Sequence, residues 1–122
     1  MIGHRRRDAT HKALRKLFRD LGATWVDTAD TPGSLDGLLG HAGLSVLVEI
    51  KDGRKPPSKR TLTDFERKTI ETWRGFPCAV VSSEEEALTL VHAVGTLADS
   101  LEVQRMARQH LARISDVFPA LD

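Results

Sequence analysis

The sequence predicts an α/β fold, in which a small mixed β-sheet of about four strands is flanked by helices. Three observations support this prediction. Segments with helical and strand periodicity alternate along the 122 residues, a length typical of a single domain. Residues 34–51 have the pattern of a β-hairpin. A short apolar strand then follows a helix, which favours parallel pairing with an earlier strand.

The first helix is predicted between Asp8 and Leu21. Apolar residues recur there at spacings of three and four, which places them on one face. Gly22 supplies a typical C-terminal stop signal. An acidic residue at the start of a helix complements the helix dipole, so Asp8 has a structural explanation in addition to any functional one.

Three strands are predicted after this helix. A short strand at residues 24–28 is followed by a loop, and strands at 35–39 and 44–51 are joined by a connection at residues 40–43. The strand at 44–51 has the clearest pattern. Alternation along it places one group of side chains on one face of the sheet and a second group on the other. The first group is Val46, Val48 and Ile50, and the second is Leu47, Glu49 and Lys51.

The second half of the chain alternates loop, helix and strand. Residues 52–60 contain two prolines and a glycine, which predicts an irregular loop. A helix is predicted from Thr63 to about Trp73, with Glu66 in the position of a capping-box acid. Residues 77–82 read as a buried strand. A helix capped by Ser83 follows and is expected to break at Gly95, and a final helix is predicted at about 97–114.

Composition restricts the possible functions. Apolar residues make up 40% of the chain and no run of them approaches the ~20 residues of a membrane span. The basic N-terminus has no apolar segment after it, so a secretory signal is not expected. The single cysteine, Cys78, excludes an internal disulfide framework and fits a reducing compartment. We therefore expect one domain, with a core at about 5–95, in the cytoplasm.

Positive charge is concentrated in the first part of the chain. Residues 1–75 carry 15 Lys and Arg against 10 Asp and Glu, whereas residues 76–122 carry 3 against 7. A local basic excess is what a nucleic-acid-binding face needs, because phosphate contacts release counterions. A solvated surface is the alternative interpretation. The residues expected to bind DNA phosphates are Arg5, Arg6, Arg7, Arg54, Lys55, Lys59 and Arg60.

The hairpin carries the candidate chemistry. Glu49 and Lys51 are about 6.6 Å apart on the same face of one strand, and hairpin pairing can bring Asp36 beside Glu49. Two adjacent carboxylates repel each other unless a cation or a proton lies between them. Together with a backbone carbonyl such as that of Ile50, they suit Mg²⁺ or Mn²⁺. The alternative is an ordinary surface pair between Glu49 and Lys51.

The spacing of Asp36 from Glu49-Ile50-Lys51 resembles the PD-(D/E)XK nuclease motif. The wider pattern is similar to small phage-type nucleases related to Holliday junction resolvases and VRR-NUC domains, over roughly residues 5–92. One departure is Leu35, which stands where the motif name has proline. The other matching features are Asp8 opening a helix, Gly22, Gly33-Ser34, Asp52-Gly53, Pro57-Ser58-Lys59-Arg60, Leu62-Thr63 with Glu66, and Trp73-Arg74-Gly75.

This resemblance implies a restriction-endonuclease-like core and a Mg²⁺-dependent DNA endonuclease that leaves 5′-phosphate ends. Asp36 and Glu49 would be metal ligands and Lys51 the catalytic lysine. Asp8 and Glu66 would be further site residues, although capping explains Glu66 equally well. The implied substrate is a four-way DNA junction cut by a homodimer, with the last helix supplying dimer contacts. Alternatives are a nicking or repair nuclease of the same fold and a catalytically inactive DNA-binding module.

Other residues have simpler interpretations. His11 could approach the site, but an exposed helix histidine is the expected state, and His41 is expected in the hairpin turn. Trp25 and Trp73 could stack on bases, although sparse aromatic residues are more often part of a core. Cys78 is expected to be an inert core residue.

Overall fold

The computed structural model describes residues 9–99, and its α/β architecture confirms the predicted fold class. This part of the chain forms a four-stranded mixed sheet flanked by three α-helices. In chain order the elements are α1 (Ala9–Asp20), β1 (Thr24–Asp27), β2 (Gly37–His41), β3 (Leu44–Ile50), a 3₁₀ turn (Pro57–Lys59), α2 (Asp64–Thr72), β4 (Ala79–Val81) and α3 (Glu84–Asp99). None of the helices within residues 9–99 has the length and apolar character that crossing a bilayer requires.

The sheet has the strand order β1-β2-β3-β4. The pairings of β1 with β2 and of β2 with β3 are antiparallel, and β3 pairs with β4 in parallel, as predicted. One face of the sheet packs against α1 and α3 through a single apolar core. Its central side chains include Leu14, Phe18, Leu39, Val46, Val48, Ile50, Val81, Ala87, Val91 and Val94.

The β2–β3 connection is shorter than predicted. Instead of a four-residue connection, a two-residue turn at Ala42 and Gly43 joins the strands, and His41 pairs with Leu44 at the end of the ladder. Both turn residues have positive φ angles, 52° and 89°. This geometry is favoured in two-residue hairpin turns because its twist matches that of the flanking strands. His41 is therefore a strand residue, and the prediction that it lies in the turn is wrong.

The tighter turn sets the register that builds the site. It pairs Gly37 with Val48, so Asp36, the residue before Gly37, stands beside Glu49, the residue after Val48. A four-residue connection would shift the pairing by two residues and would place Asp36 opposite Leu47. Since side chains alternate with a period of two, the face would be unchanged but the two acidic residues would be separated.

Gly37 is required by the packing of Trp25. A Cβ atom at this position would lie 2.0 Å from the indole ring, which is itself buried and stacked on Phe18. We expect Gly37→Ala to lower the free energy of unfolding by about 3 kcal/mol, because overpacking forces the ring or strand to move. Gly40→Ala is the matched control, since its Cβ would meet only Thr24, at 3.7 Å. Chemical denaturation measures both, and equal losses in the two variants would contradict the packing argument.

Two predictions about the later elements are wrong. Gly95 does not break the helix, because α3 continues to Asp99 and buries Val91, Val94 and Ala98 in the core on both sides of this glycine. Core packing thus outweighs the ~1 kcal/mol helix penalty of glycine. Leu97 consequently belongs to α3, while residues 100–114 of the predicted final helix lie outside the described residues. Strand β4 is an edge strand, with Val81 buried but Val80 43% exposed, so the prediction of a buried strand is wrong for the outer face of β4.

Candidate functional site

Four of the predicted site residues come together at the C-terminal end of β3. Glu49 lies near the end of this strand and Lys51 immediately follows it, Asp36 immediately precedes β2, and Glu66 reaches the cluster from α2. Their contacts bring together three separate segments of the chain, which supply three acidic side chains and one lysine. Asp8 and Arg5, Arg6 and Arg7 lie outside the described residues.

Asp36 is held by the backbone of β3. The predicted strand 35–39 begins only at Gly37, so Asp36 lies just outside the ladder, where its side chain takes the place of a strand partner. Its Oδ2 accepts a hydrogen bond from the Ile50 N–H at 2.8 Å. Burial alone would raise the pKa of Asp36, but contact with His11 and the Ile50 N–H outweigh burial and lower it.

Glu49 is buried, with 5% of its surface exposed. Burial is the largest cause that raises its pKa, to about 9, followed by a hydrogen bond to Glu66 and the negative charges of Asp36 and Glu66. The positive charge of Lys51 offsets part of this effect. In the absence of a further cation, Glu49 therefore holds a proton at neutral pH.

Lys51 and Glu66 form the closest ion pair of the cluster. Lys51 Nζ lies 2.7 Å from Glu66 Oε1 and 3.6 Å from Glu49 Oε2, and the lysine side chain is only 15% exposed. Burial favours the neutral amine, but these two acids outweigh burial and raise the pKa of Lys51. The ammonium group is thus fixed next to the buried carboxyl group of Glu49.

Glu66 combines the two roles that the sequence left open. Its Oε1 accepts a hydrogen bond from the Thr63 N–H at 2.9 Å, which completes a capping box at the start of α2. The same oxygen contacts Lys51. Burial raises the pKa of Glu66, but hydrogen bonds from Glu49, Lys51 and Thr63 prevail and lower it. The capping interaction therefore positions an acid in the site.

His11 is a site residue, so the prediction of an exposed helix histidine is wrong. It is 5% exposed, and its Nε2 lies 3.7 Å from Asp36 Oδ1. The sequence contains a signal for this position, because His11 precedes the buried Leu14 and Phe18 by three and seven residues. His11 thus lies on the buried stripe of α1, where its imidazole reaches the end of the sheet.

We expect His11→Ala to raise the pKa of Asp36, because the contact with the imidazole, whose Nε2 lies 3.7 Å from Asp36 Oδ1, lowers it. Carboxyl chemical shifts followed by NMR during a pH titration measure this change. Lys12→Ala is the control, since Lys12 is the exposed neighbour on the same helix. An unchanged Asp36 titration in the folded His11 variant would contradict the assigned contact.

The donor set fits a hard divalent cation. Asp36 and Glu49 supply two adjacent carboxylates, and the carbonyl of Ile50, the residue after Glu49, is a third oxygen donor. Within residues 9–99, no group of three His, Cys, Asp or Glu side chains is arranged as a metal-binding cluster. Mg²⁺ does not need one, because it is usually bound by one or two carboxylates and keeps several of its waters. A cation here would also favour the ionised form of Glu49, which burial and the neighbouring acids disfavour.

Asp52 organises the basic loop, a role that was not predicted from the sequence. Its Oδ1 accepts hydrogen bonds from the Thr10 hydroxyl at 2.9 Å and from the Arg54 backbone N–H at 3.0 Å. Arg54 also forms an ion pair with it. The start of the loop after β3 is thereby attached to α1. The sequence contains a signal for this role, because Asp52 is followed by a glycine and precedes a run of basic residues.

The predicted phosphate-binding residues occupy different environments. Lys55 and Lys59 are exposed, and a short 3₁₀ turn with Pro57 makes the loop more regular than predicted. Arg54 and Arg60 line a cleft of about 450 Å³ between α1, the loop and the start of α3. Glu84 and Glu86 also line this cleft, so its charge is mixed.

The two tryptophans differ in how far they are buried. Trp25 is buried, as expected, and donates a hydrogen bond from Nε1 to Asp27 at 2.8 Å. Trp73 is 43% exposed at the end of α2, which contradicts its assignment to the core. Cys78 is half-buried, and burial raises the pKa of its thiol.

Comparison with known proteins returned no match to a protein-family model, a curated protein or a solved structure. The functional interpretation therefore depends on the site itself.

Proposed function

We propose that this protein is a Mg²⁺-dependent DNA endonuclease that hydrolyses phosphodiesters, with Mn²⁺ as a substitute ion and a branched, four-way DNA junction as its substrate. The observation that carries the proposal is the arrangement of Asp36 and Glu49 side by side with the Lys51 ammonium group 3.6 Å from Glu49. These groups are the two acids and the lysine of the motif that the sequence resembles.

The electrostatics of the cluster support this proposal. Glu49 is buried between other acids, so its ionised form requires a cation. A divalent ion bound by Asp36, Glu49 and the Ile50 carbonyl would meet this requirement. When bound, such an ion lowers the pKa of a coordinated water and neutralises charge on the leaving oxygen.

The protein's own residues have distinct roles in this reaction. Lys51 places a positive charge beside the attacked phosphate, and Glu66 fixes the position of that ammonium group. His11 and the Ile50 N–H orient the Asp36 carboxylate. The oxygen of water bonds to phosphorus and the bond from phosphorus to the 3′ oxygen breaks, which leaves a 5′-phosphate and a 3′-hydroxyl. Two symmetric cuts in a junction would require a homodimer.

Cleavage of a substrate panel tests the proposal. A four-way junction with a mobile core, a flap and a linear duplex are incubated with the purified protein and Mg²⁺. We expect cutting that depends on the divalent ion and is fastest for the junction. Faster cutting of the flap or the duplex would favour a repair or nicking nuclease of the same fold. No cutting of any substrate by folded protein would contradict the proposed activity.

The exposed lysines of the loop provide a separate test of DNA binding. We expect Lys59→Glu to weaken binding similarly for all DNA sequences, because an interaction with phosphate carries no base information. The slope of log affinity against log salt should fall by about 1 for each phosphate that the variant no longer binds. Fluorescence anisotropy at several salt concentrations measures this slope. An unchanged slope would show that Lys59 does not bind the DNA backbone.

A further inference from the structure

A small concave surface lies between α2 and the loop that precedes β2. This surface, here called the aromatic cleft, is about 230 Å³ in volume. Its most exposed apolar members are Phe65, at 55%, and Trp73, at 43%. It is lined by Gly33, Phe65, Lys68, Thr69, Thr72 and Trp73.

Both walls of the aromatic cleft are connected to the candidate site. One wall is the face of α2 that begins at Phe65, the residue before Glu66. The other includes Gly33, three residues before Asp36, and an added Cβ there would meet no atom within 4 Å. The cleft is therefore open at Gly33, and its walls belong to the two segments that supply Asp36 and Glu66 to the site.

The chemistry of the aromatic cleft suits a nucleobase. Two exposed aromatic rings offer π-faces, on which any base can stack without regard to sequence. Lys68 adds a positive charge at the rim and forms no ion pair with another described residue. The hydroxyls of Thr69 and Thr72 donate hydrogen bonds to helix carbonyls, so they do not need a ligand as hydrogen-bond partner. A flat, neutral ring attached to a phosphate matches this combination.

The geometry points to the aromatic cleft as a stacking site for an unpaired base of the DNA strand that enters the active site. This inference rests on the proposed nuclease function and specifies its substrate: DNA with unpaired bases near the cut, as at a branch point. A fully paired duplex keeps its bases stacked on one another and cannot offer one without unpairing it. A second copy of the chain is the competing occupant, but a stable interface needs ~800 Å² from each partner, much more than a small cleft offers.

Intrinsic fluorescence gives a direct test, because the chain has only two tryptophans. Trp25 is buried against Phe18, so quenching on DNA binding reports on Trp73. The protein is titrated with an oligothymidylate or a blunt duplex in EDTA, which prevents cutting. We expect strong quenching by the oligothymidylate and little by the duplex.

Substitutions then identify the stacking residues. Phe65→Leu and Trp73→Leu keep apolar bulk but remove a ring, and each should weaken oligothymidylate binding roughly tenfold while leaving duplex binding unchanged. Anisotropy of labelled DNA measures affinity independently of tryptophan. Leu88→Ala is the control, since Leu88 is a similarly exposed apolar residue on α3. In cleavage, the ring variants should be slowed on branched DNA more than on duplex.

The outcomes separate this inference from the proposed function. Absence of quenching in a protein that cuts DNA would overturn the stacking site alone. Unchanged oligothymidylate affinity in both ring variants would do the same. A shift from dimer to monomer in those variants, seen by sedimentation without loss of DNA affinity, would assign the cleft to a second copy. Ring-dependent binding in a protein that cuts no DNA would support stacking and overturn the nuclease function.

Discussion

Glu49→Gln is expected to lower the rate of DNA cutting by on the order of 10³-fold and to leave the protein folded. Glutamine has nearly the same shape as glutamate but cannot carry the negative charge that a divalent ion requires. The substitution also removes a buried acid whose ionised form is disfavoured by burial and by Asp36 and Glu66. The loss of activity should therefore occur without loss of structure.

The same substitution should change how stability depends on pH in metal-free buffer. The pKa of Glu49 is raised from 4.5 to about 9 in the folded protein, so the folded state binds more protons than the unfolded state between these values. The free energy of unfolding of the wild type should consequently fall as pH rises through this interval. Glu49→Gln should remove that part of the decline. Asp36 and Glu66, whose pKa values are lowered, act only at more acidic pH.

Glu71→Gln is the matched control for both measurements, because Glu71 is an exposed acid on α2. It should retain full cutting and the pH dependence of the wild type. Urea denaturation at a series of pH values gives the stability, and initial rates on labelled DNA give the activity. Cutting by Glu49→Gln at a rate close to that of the wild type would show that Glu49 does not hold a catalytic ion.

Lys51→Ala is expected to abolish cutting and also to destabilise the fold. The ammonium group lies 2.7 Å from Glu66 and 3.6 Å from Glu49, so its removal leaves the Glu66 carboxylate without its counterion. Removing one partner of a buried pair costs about 3–5 kcal/mol. We expect about 2 kcal/mol here, because Lys51 and Glu66 keep some contact with water.

A double-mutant cycle separates the structural from the catalytic role of Lys51. Glu66→Gln combined with Lys51→Ala should recover part of the stability that Lys51→Ala removes, because the double variant no longer leaves the Glu66 carboxylate without its counterion. It should not recover cutting. Strictly additive stabilities would show that Lys51 and Glu66 do not interact. Recovery of cutting in the double variant would show that the lysine charge is not needed for the chemistry.

Much of the fold could be predicted because local signals and packing agree. The alternation along β3 identified Glu49 and Lys51 as neighbours on one face, and the capping pattern at Thr63 and Glu66 located the start of α2. The parallel position of β4 followed from a strand entered after a helix. In each case, a short stretch of sequence contained most of the information that the structure required.

Other features depended on contacts between distant segments. The two-residue turn at Ala42 and Gly43 fixes the register, but the glycines on both sides of His41 are equally consistent with a longer connection. His11 lies at a helical spacing that fits the buried stripe, yet only the tertiary fold places it against Asp36. Gly95 remains helical because Val91, Val94 and Ala98 of α3 are packed in the core on both sides of it.

The measurement that tests the central claim most directly is anomalous X-ray diffraction from crystals of the wild-type protein soaked in Mn²⁺. The proposed site predicts an anomalous peak in contact with the carboxylates of Asp36 and Glu49, and no such peak in crystals of Glu49→Gln treated identically. A peak elsewhere, or none near these two acids in crystals that take up Mn²⁺, would contradict the assignment of this cluster as the metal site of a nuclease.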